Sequence, residues 1–208
     1  MAQHLSIKAN RDRSPIIELD PARVRLTGNR QPDALKWMLR WEHRGLPWPI
    51  RRGFWDRFVT DFSKHATFRE VEALLAADLD YERLPSFQTA LRQLRDNDRA
   101  RLPQLRRNRT FTSEREVRSH FEDVAGLIAS IREHGYQLDH AGGIGLGIGR
   151  HGQLIKLKHG HHRLAVAQLL GVERVRFRVI AVHPRWFLRQ LPNDTQTLSD
   201  TLKRALVA

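Results

Sequence analysis

The chain has 208 residues, 36 lysines and arginines against 23 acidic residues, and a formal net charge of +13. It holds no cysteine, which excludes disulfides, a cysteine nucleophile and thiolate metal sites and fits a reducing cytoplasm. The apolar fraction of 40% with five tryptophans argues for a folded protein; no apolar run is long enough to cross a membrane, and the first residues lack the apolar stretch of a secretory leader.

Residues 1–15 are polar and basic and read as a loose terminus. Ile16-Ile17-Glu18-Leu19 reads as a short strand, with a turn at Asp20-Pro21. Leu35 to Trp41 reads as a short helix, stopped by the stiff loop Gly45-Leu46-Pro47-Trp48-Pro49, and Gly53-Phe54-Trp55-Asp56 comes next. Thr67 to Leu79 has helical spacing, with Phe68, Val71, Leu74 and Leu75 on one face. Phe87 to Leu94 forms another helix. Arg95 to Arg109 is crowded with arginine and broken by Pro103, so it reads as an exposed connector. The arginines of 92–109 suit the phosphates of a nucleic acid, or are a solvated face partnered by Asp96 and Asp98.

Ser113 and Glu116 have the spacing of a capping box. Val117, Phe121, Val124, Leu127, Ile128 and Ile131 then make a helical stripe that Gly135 ends. Ile144-Gly145-Leu146-Gly147-Ile148 alternates with period two, a strand with one bare face. Its glycines lack the G-x-G-x-x-G spacing of a dinucleotide fingerprint. Arg150-His151-Gly152 turns the chain into a second strand, Leu154–Lys158. Gly160-His161-His162-Arg163 opens a short apolar helix, and Val175, Phe177 and Val179 alternate with Arg176 and Arg178 in a last strand. His183-Pro184-Arg185-Trp186 caps that strand, and Leu198 to Leu206 reads as a tail helix.

The turn at Gly160 carries the most chemistry. Glycine lets backbone approach a ligand closely, and the first turn of a helix offers free N–H groups and the positive end of a dipole to an anion. Arg163 and a histidine can both donate to phosphate oxygens, so the sequence proposes a phosphate-binding turn. Two plainer readings stand beside it. His162 caps the helix while Arg163 pairs with an acid, or His159, His161 and His162 ligate a metal that His183 or His151 completes, without a carboxylate or thiolate nearby in sequence. The basic balance of the chain favours polyanions in general: nucleic acid, an acidic membrane surface or nucleotides.

From Leu127 to Val182 the order of elements resembles the ParB/sulfiredoxin superfamily. A helix ends in Ser130-Ile131-Arg132-Glu133-His134-Gly135, and a hairpin of Ile144–Ile148 and Leu154–Lys158 follows. The Gly160-His161-His162-Arg163 turn opens a helix with Ala165 and Ala167, and Val175–Val182 closes the unit. A narrower set of prokaryotic and viral ParB-like proteins is similar at Gly53-Phe54-Trp55-Asp56, at Ile148-Gly149-Arg150-His151-Gly152 and at His183 with Trp186. The resemblance implies nucleotide handling, with ATP or CTP and Mg2+. Its phosphates would lie on Gly160, His161, His162 and Arg163, with His159, Arg150, His183 and Asp56 as further site candidates. In the free-serine kinases of the superfamily the key glutamate precedes the helix equivalent to 117–131, which implies Glu114 or Glu116 as the catalytic carboxylate that orients or deprotonates the acceptor. The simpler alternatives are a capping role for Glu116, solvation for Glu114, and a buried aromatic beside a salt bridge for Trp55-Asp56.

The departures narrow the reading. Without cysteine the sulfiredoxin reaction is excluded. His159 stands where the serine kinases have an aspartate before the glycine. Only about 25 residues follow the last strand, too few for the separate DNA-binding domain of partition proteins. No carboxylate cluster lies near the turn to hold the two metals of a nuclease. The expectation is an α+β fold in which a ParB/sulfiredoxin-like domain, a small mixed sheet with helices, spans 111–190. A mostly helical N-terminal region, 1–110, is drawn into the same unit by its Gly53–Asp56 motif, and a helical tail spans 191–208. The expected function is a cytoplasmic ParB-like nucleotide-binding protein, a phosphotransferase or nucleotide hydrolase acting on a small molecule, without membrane insertion. The alternative is a DNA- or RNA-binding regulatory protein without catalysis.

Overall fold

The computed structural model describes residues 14–28, 46, 48–102, 110–137, 143–190, 201–202 and 205–206. The helix expected at Leu35–Trp41 and the end of the arginine run, 103–109, lie outside these residues. The described residues form an α+β fold with one six-stranded mixed sheet and five α-helices. In chain order these are β1 (Ile16–Leu19), β2 (Leu26–Gly28), β3 (Val59–Asp61), α1 (Ala66–Ala76), α2 (Pro85–Asn97), α3 (Glu114–His134), β4 (Ile144–Ile148), β5 (Leu154–Lys156), α4 (His161–Leu169), β6 (Val175–Val182) and α5 (Pro184–Gln190). None of these helices is long and apolar enough to cross a membrane. The chain divides into two compact units. Met1–Phe62, Leu138–Gly160 and Glu173–Ala208 make the first, and Ser63–Gln137 with His161–Val172 make the second. Each unit draws on both halves of the sequence.

The first unit holds the sheet, in the order β1-β6-β4-β5-β2-β3. Strand β6 is parallel to β4 and β5 is parallel to β2, while β1, β4–β5 and β2–β3 pair antiparallel. The alternation expected for β6 places Val175, Phe177 and Val179 in the core, and Ile17 of β1 and Ile144 of β4 both lie opposite Phe177. The bare face of β4 is a site of close packing. A Cβ on Gly147 would lie 2.5 Å from Leu157 Cδ1 and 2.7 Å from Trp55, so the missing side chain is the space that these groups fill.

Strand β5 stops at Lys156, two residues earlier than the pattern predicts, and a buried cation explains it. Lys156 is fully buried. Its Nζ donates to the carbonyls of Leu157, at 2.9 Å, of Lys158, and of His159, at 2.6 Å. Three acceptors require three N–H bonds, so the group is an ammonium. With these three carbonyls turned inward, Lys158 has φ +44 and Gly160 φ +88, and regular strand pairing gives way to two bonds, from Leu157 N–H to Gly145 O and from Gly145 N–H to His159 O.

The second unit holds α1 to α4. α1 packs on α4, and α3 packs on both α2 and α4. The α3 start follows the expected cap with one change. Ser113 Oγ accepts from the Glu116 N–H at 3.3 Å, but the Glu116 carboxylate takes the N–H and hydroxyl of Thr112. Gly135, at φ +72, ends α3 as expected. The α3 stripe is buried at Val117, Phe121, Val124, Ile128 and Ile131, and Phe121 stands edge-on to Phe87 of α2 at 5.5 Å. α2 runs beyond the expected Leu94 to Asn97. Ala100 and Leu102 are buried and Ala100 bridges to Phe111, which ties down a stretch whose arginines Arg95, Arg99 and Arg101 are exposed as expected.

Candidate functional site

In the second unit, three helices bring one carboxylate and two imidazoles together. Glu70 lies on the buried face of α1, beside Thr67, Val71 and Leu74. His120 comes from the buried stripe of α3, packed against Phe111 and Phe121. His162 comes from the first turn of α4. Glu70 Oε1 is 3.0 Å from His120 Nε2 and Oε2 is 3.0 Å from His162 Nε2. Burial opposes ionisation of Glu70, but the hydrogen bonds of both histidines outweigh it and hold its carboxyl below the usual carboxylate range. An ionised carboxylate only accepts, so both Nε2 atoms carry a proton in this arrangement. One potential ligand atom from each of the three residues lies within 4.8 Å of the other two.

The start of α4 meets α1 a second time. His65 Nδ1 accepts the Thr67 N–H at 3.2 Å and caps α1, and its ring stacks on His161 at 4.9 Å. Arg163, half-buried one residue after His162, has no carboxylate within ion-pair distance among the described residues. Burial raises the phenol of Tyr136, and the charge of Arg163 works against that rise.

The first unit gathers the other sequence candidates. Asp56 is buried and receives Arg150 through three bonds: the backbone N–H and Nε to Oδ2, both at 2.8 Å, and Nη2 to Oδ1 at 2.7 Å. Arg150 Nη2 also donates to Gly53 O at 2.9 Å. Burial alone would raise the Asp56 carboxyl, but its bonds to Arg150 dominate and hold it low. His183 is buried, and its Nδ1 accepts the Arg185 N–H at the start of α5. Trp186 of α5 is buried against the backbone at Gly152, where a Cβ would be 3.0 Å from its Nε1. Trp55 packs with Ile155 and Ala181. The three short motifs at 53–56, 149–152 and 183–186 thus converge in space, and Trp55-Asp56 is the buried aromatic beside a salt bridge.

Of the proposed phosphate residues, Gly160 has the left-handed backbone that the turn requires, at φ +88. His162 holds Glu70, and His161 stacks on His65. His159 is exposed and gives its carbonyl to Lys156. Glu114 and Glu116, the expected catalytic carboxylates, are exposed at the start of α3, where Glu114 pairs with Arg118 at 2.7 Å and Glu116 with Thr112. The carboxylate bonded to a histidine of the turn is Glu70, and the sequence reading did not single it out. An acid at position 70, between Thr67 and Leu74 on an otherwise buried face, was the available signal. Comparison with protein-family models, with curated proteins and with solved structures finds no match to the chain.

Proposed function

We propose that this chain binds ATP or CTP through its phosphates at the start of α4, as the likeness to the ParB/sulfiredoxin superfamily implies. It would act as a phosphotransferase or nucleotide hydrolase on a small molecule, with Mg2+ accompanying the nucleotide. The observation that carries this reading is the first turn of α4, whose Arg163 has no acid partner among the described residues. A helix start with an arginine beside it favours a multiply charged anion. The left-handed Gly160 ahead of it and the order β4, β5, α4, β6 also support the reading. Glu114 and Glu116 would orient or deprotonate the acceptor only by leaving Arg118 and Thr112.

Calorimetry with ATP and with CTP, each with Mg2+, tests the proposal. Saturable binding that Arg163→Ala weakens at least about tenfold is the expected result. Absence of binding, or an unchanged affinity in Arg163→Ala, would overturn it. A second reading, binding of DNA or RNA without catalysis, is favoured by the net charge of +13 and by the exposed Arg92, Arg95, Arg99 and Arg101. It predicts affinity for a random duplex that falls steeply with salt and that replacing these four arginines reduces more than Arg163→Ala does.

A further inference from the structure

We infer that Glu70, His120 and His162 form a binding site for a divalent first-row transition ion of the zinc class. The inference rests on side chains of the second unit alone; it shares His162 with the nucleotide reading but does not depend on that reading. Helix packing gives no reason for this trio. Position 70 lies on the buried face of α1, where an apolar residue would pack at no desolvation cost, yet it carries a carboxylate that two imidazoles compensate for its burial.

The donor set is chemically selective. Two imidazole nitrogens and one carboxylate oxygen suit zinc, iron, cobalt or nickel in the divalent state, whereas magnesium and calcium require oxygen ligands throughout. The geometry is close to what such an ion needs. With metal–ligand bonds of about 2.0–2.2 Å in a tetrahedral arrangement, ligand atoms stand about 3.3 Å from one another. Here each imidazole Nε2 lies 3.0 Å from a different oxygen of Glu70, and one ligand atom from each of the three residues lies within 4.8 Å of the others. Small rotations of three side chains would open the hydrogen-bonded trio around an ion.

The two states exclude one another. In the hydrogen-bonded state both Nε2 atoms point a proton at Glu70, and in the metal state both point a lone pair at the ion. Three protein ligands leave a four-coordinate ion with one position for water or an anion, the form of a reactive centre and not of a closed structural one. Access is provided on one side. The side chain of His162 is 32% exposed, against 8% for His120 and 3% for Glu70.

The test uses the full chain after treatment with a chelator. Zinc chloride titrated in a calorimeter should bind with one tight equivalent. Cobalt(II) should give the visible d–d absorption of a four- or five-coordinate ion, reversed by zinc and unaffected by excess magnesium. His162→Gln, chosen because its side chain is partly exposed, should weaken binding at least about tenfold with an unchanged far-UV circular dichroism spectrum, and Glu70→Gln should do the same. His151→Gln, at an exposed histidine of the first unit, should leave the affinity unchanged. If Glu70→Gln fails to fold, His162→Gln still decides. Absence of a tight equivalent, an affinity unmoved by His162→Gln, or a loss of equal size in His151→Gln would each overturn the proposal.

Discussion

Asp56 and Arg150, 94 residues apart in sequence, meet through both carboxylate oxygens and both the side chain and backbone of the arginine. The contact pins the Gly53–Asp56 segment to the β4–β5 turn, and both partners are buried. Removing one charge therefore leaves the second stranded. Asp56→Asn should destabilise the protein by about 3–5 kcal/mol in urea denaturation. Adding Arg150→Met to that variant should recover part of the loss, because the stranded charge goes with it.

The neighbouring His183 makes stability depend on pH. Burial holds its imidazole below the usual 6.5; Arg150 and Arg185 push the same way, while Asp56 and a hydrogen bond with the Gly53 backbone oppose them. In the window beneath 6.5 the unfolded chain therefore binds more protons than the folded one. The contribution is intact above 6.5 and is lost as the pH falls through the lower folded value. His183→Asn keeps an acceptor for the Arg185 N–H and removes the titration. Urea midpoints measured between about pH 5 and 7 should slope less in this variant than in the parent. In both proteins a further loss follows below 3.8, where Asp56 must surrender its lowered pKa.

Gly160→Ala should cost about 1–3 kcal/mol, from a positive φ combined with a new Cβ 3.1 Å from Ile144 Cγ1. Gly171→Ala provides the comparison. Its φ is +67, but nothing stands within 4 Å of the added carbon, so its cost should be the smaller of the two. Thermal unfolding of both variants beside the parent measures the difference.

Lys156→Met should remove the donor that holds the carbonyls of 157–159, at a cost of at least about 2 kcal/mol. Hydrogen exchange gives a local readout. The Gly145 N–H bonds to His159 O at 3.2 Å and the Leu157 N–H to Gly145 O at 2.8 Å. Both amides should lose protection more than those of β1, which pair with β6.

The elements that could be read in the sequence are those whose ends and faces are both local. α3 has a cap at Ser113, an apolar stripe and a glycine stop at Gly135 within one window. β4 and β6 show their period directly. β2 and β3, at Leu26–Gly28 and Val59–Asp61, have three residues each and no alternation to detect. They exist as strands because backbone groups find partners in a sheet assembled from distant segments, which no local pattern encodes. The same reasoning applies to the candidate site. His162 is conspicuous because it sits in a glycine turn, but its carboxylate lies 92 residues earlier, and His120 lies inside a helical stripe with no local mark. The likeness that pointed to Glu114 and Glu116 ran along the chain, whereas the contact to Glu70 is made across three helices.

The buried ammonium of Lys156 also bears on how the formal charge of the chain translates into an external field. Its charge is spent on three peptide dipoles inside the first unit, and that of Arg150 is neutralised by Asp56. A polyanion approaching the protein meets neither of them as a mobile surface cation. Counterion release on any such encounter should accordingly be smaller than a tally of basic residues suggests, and the salt slope of binding would report the reachable cations alone.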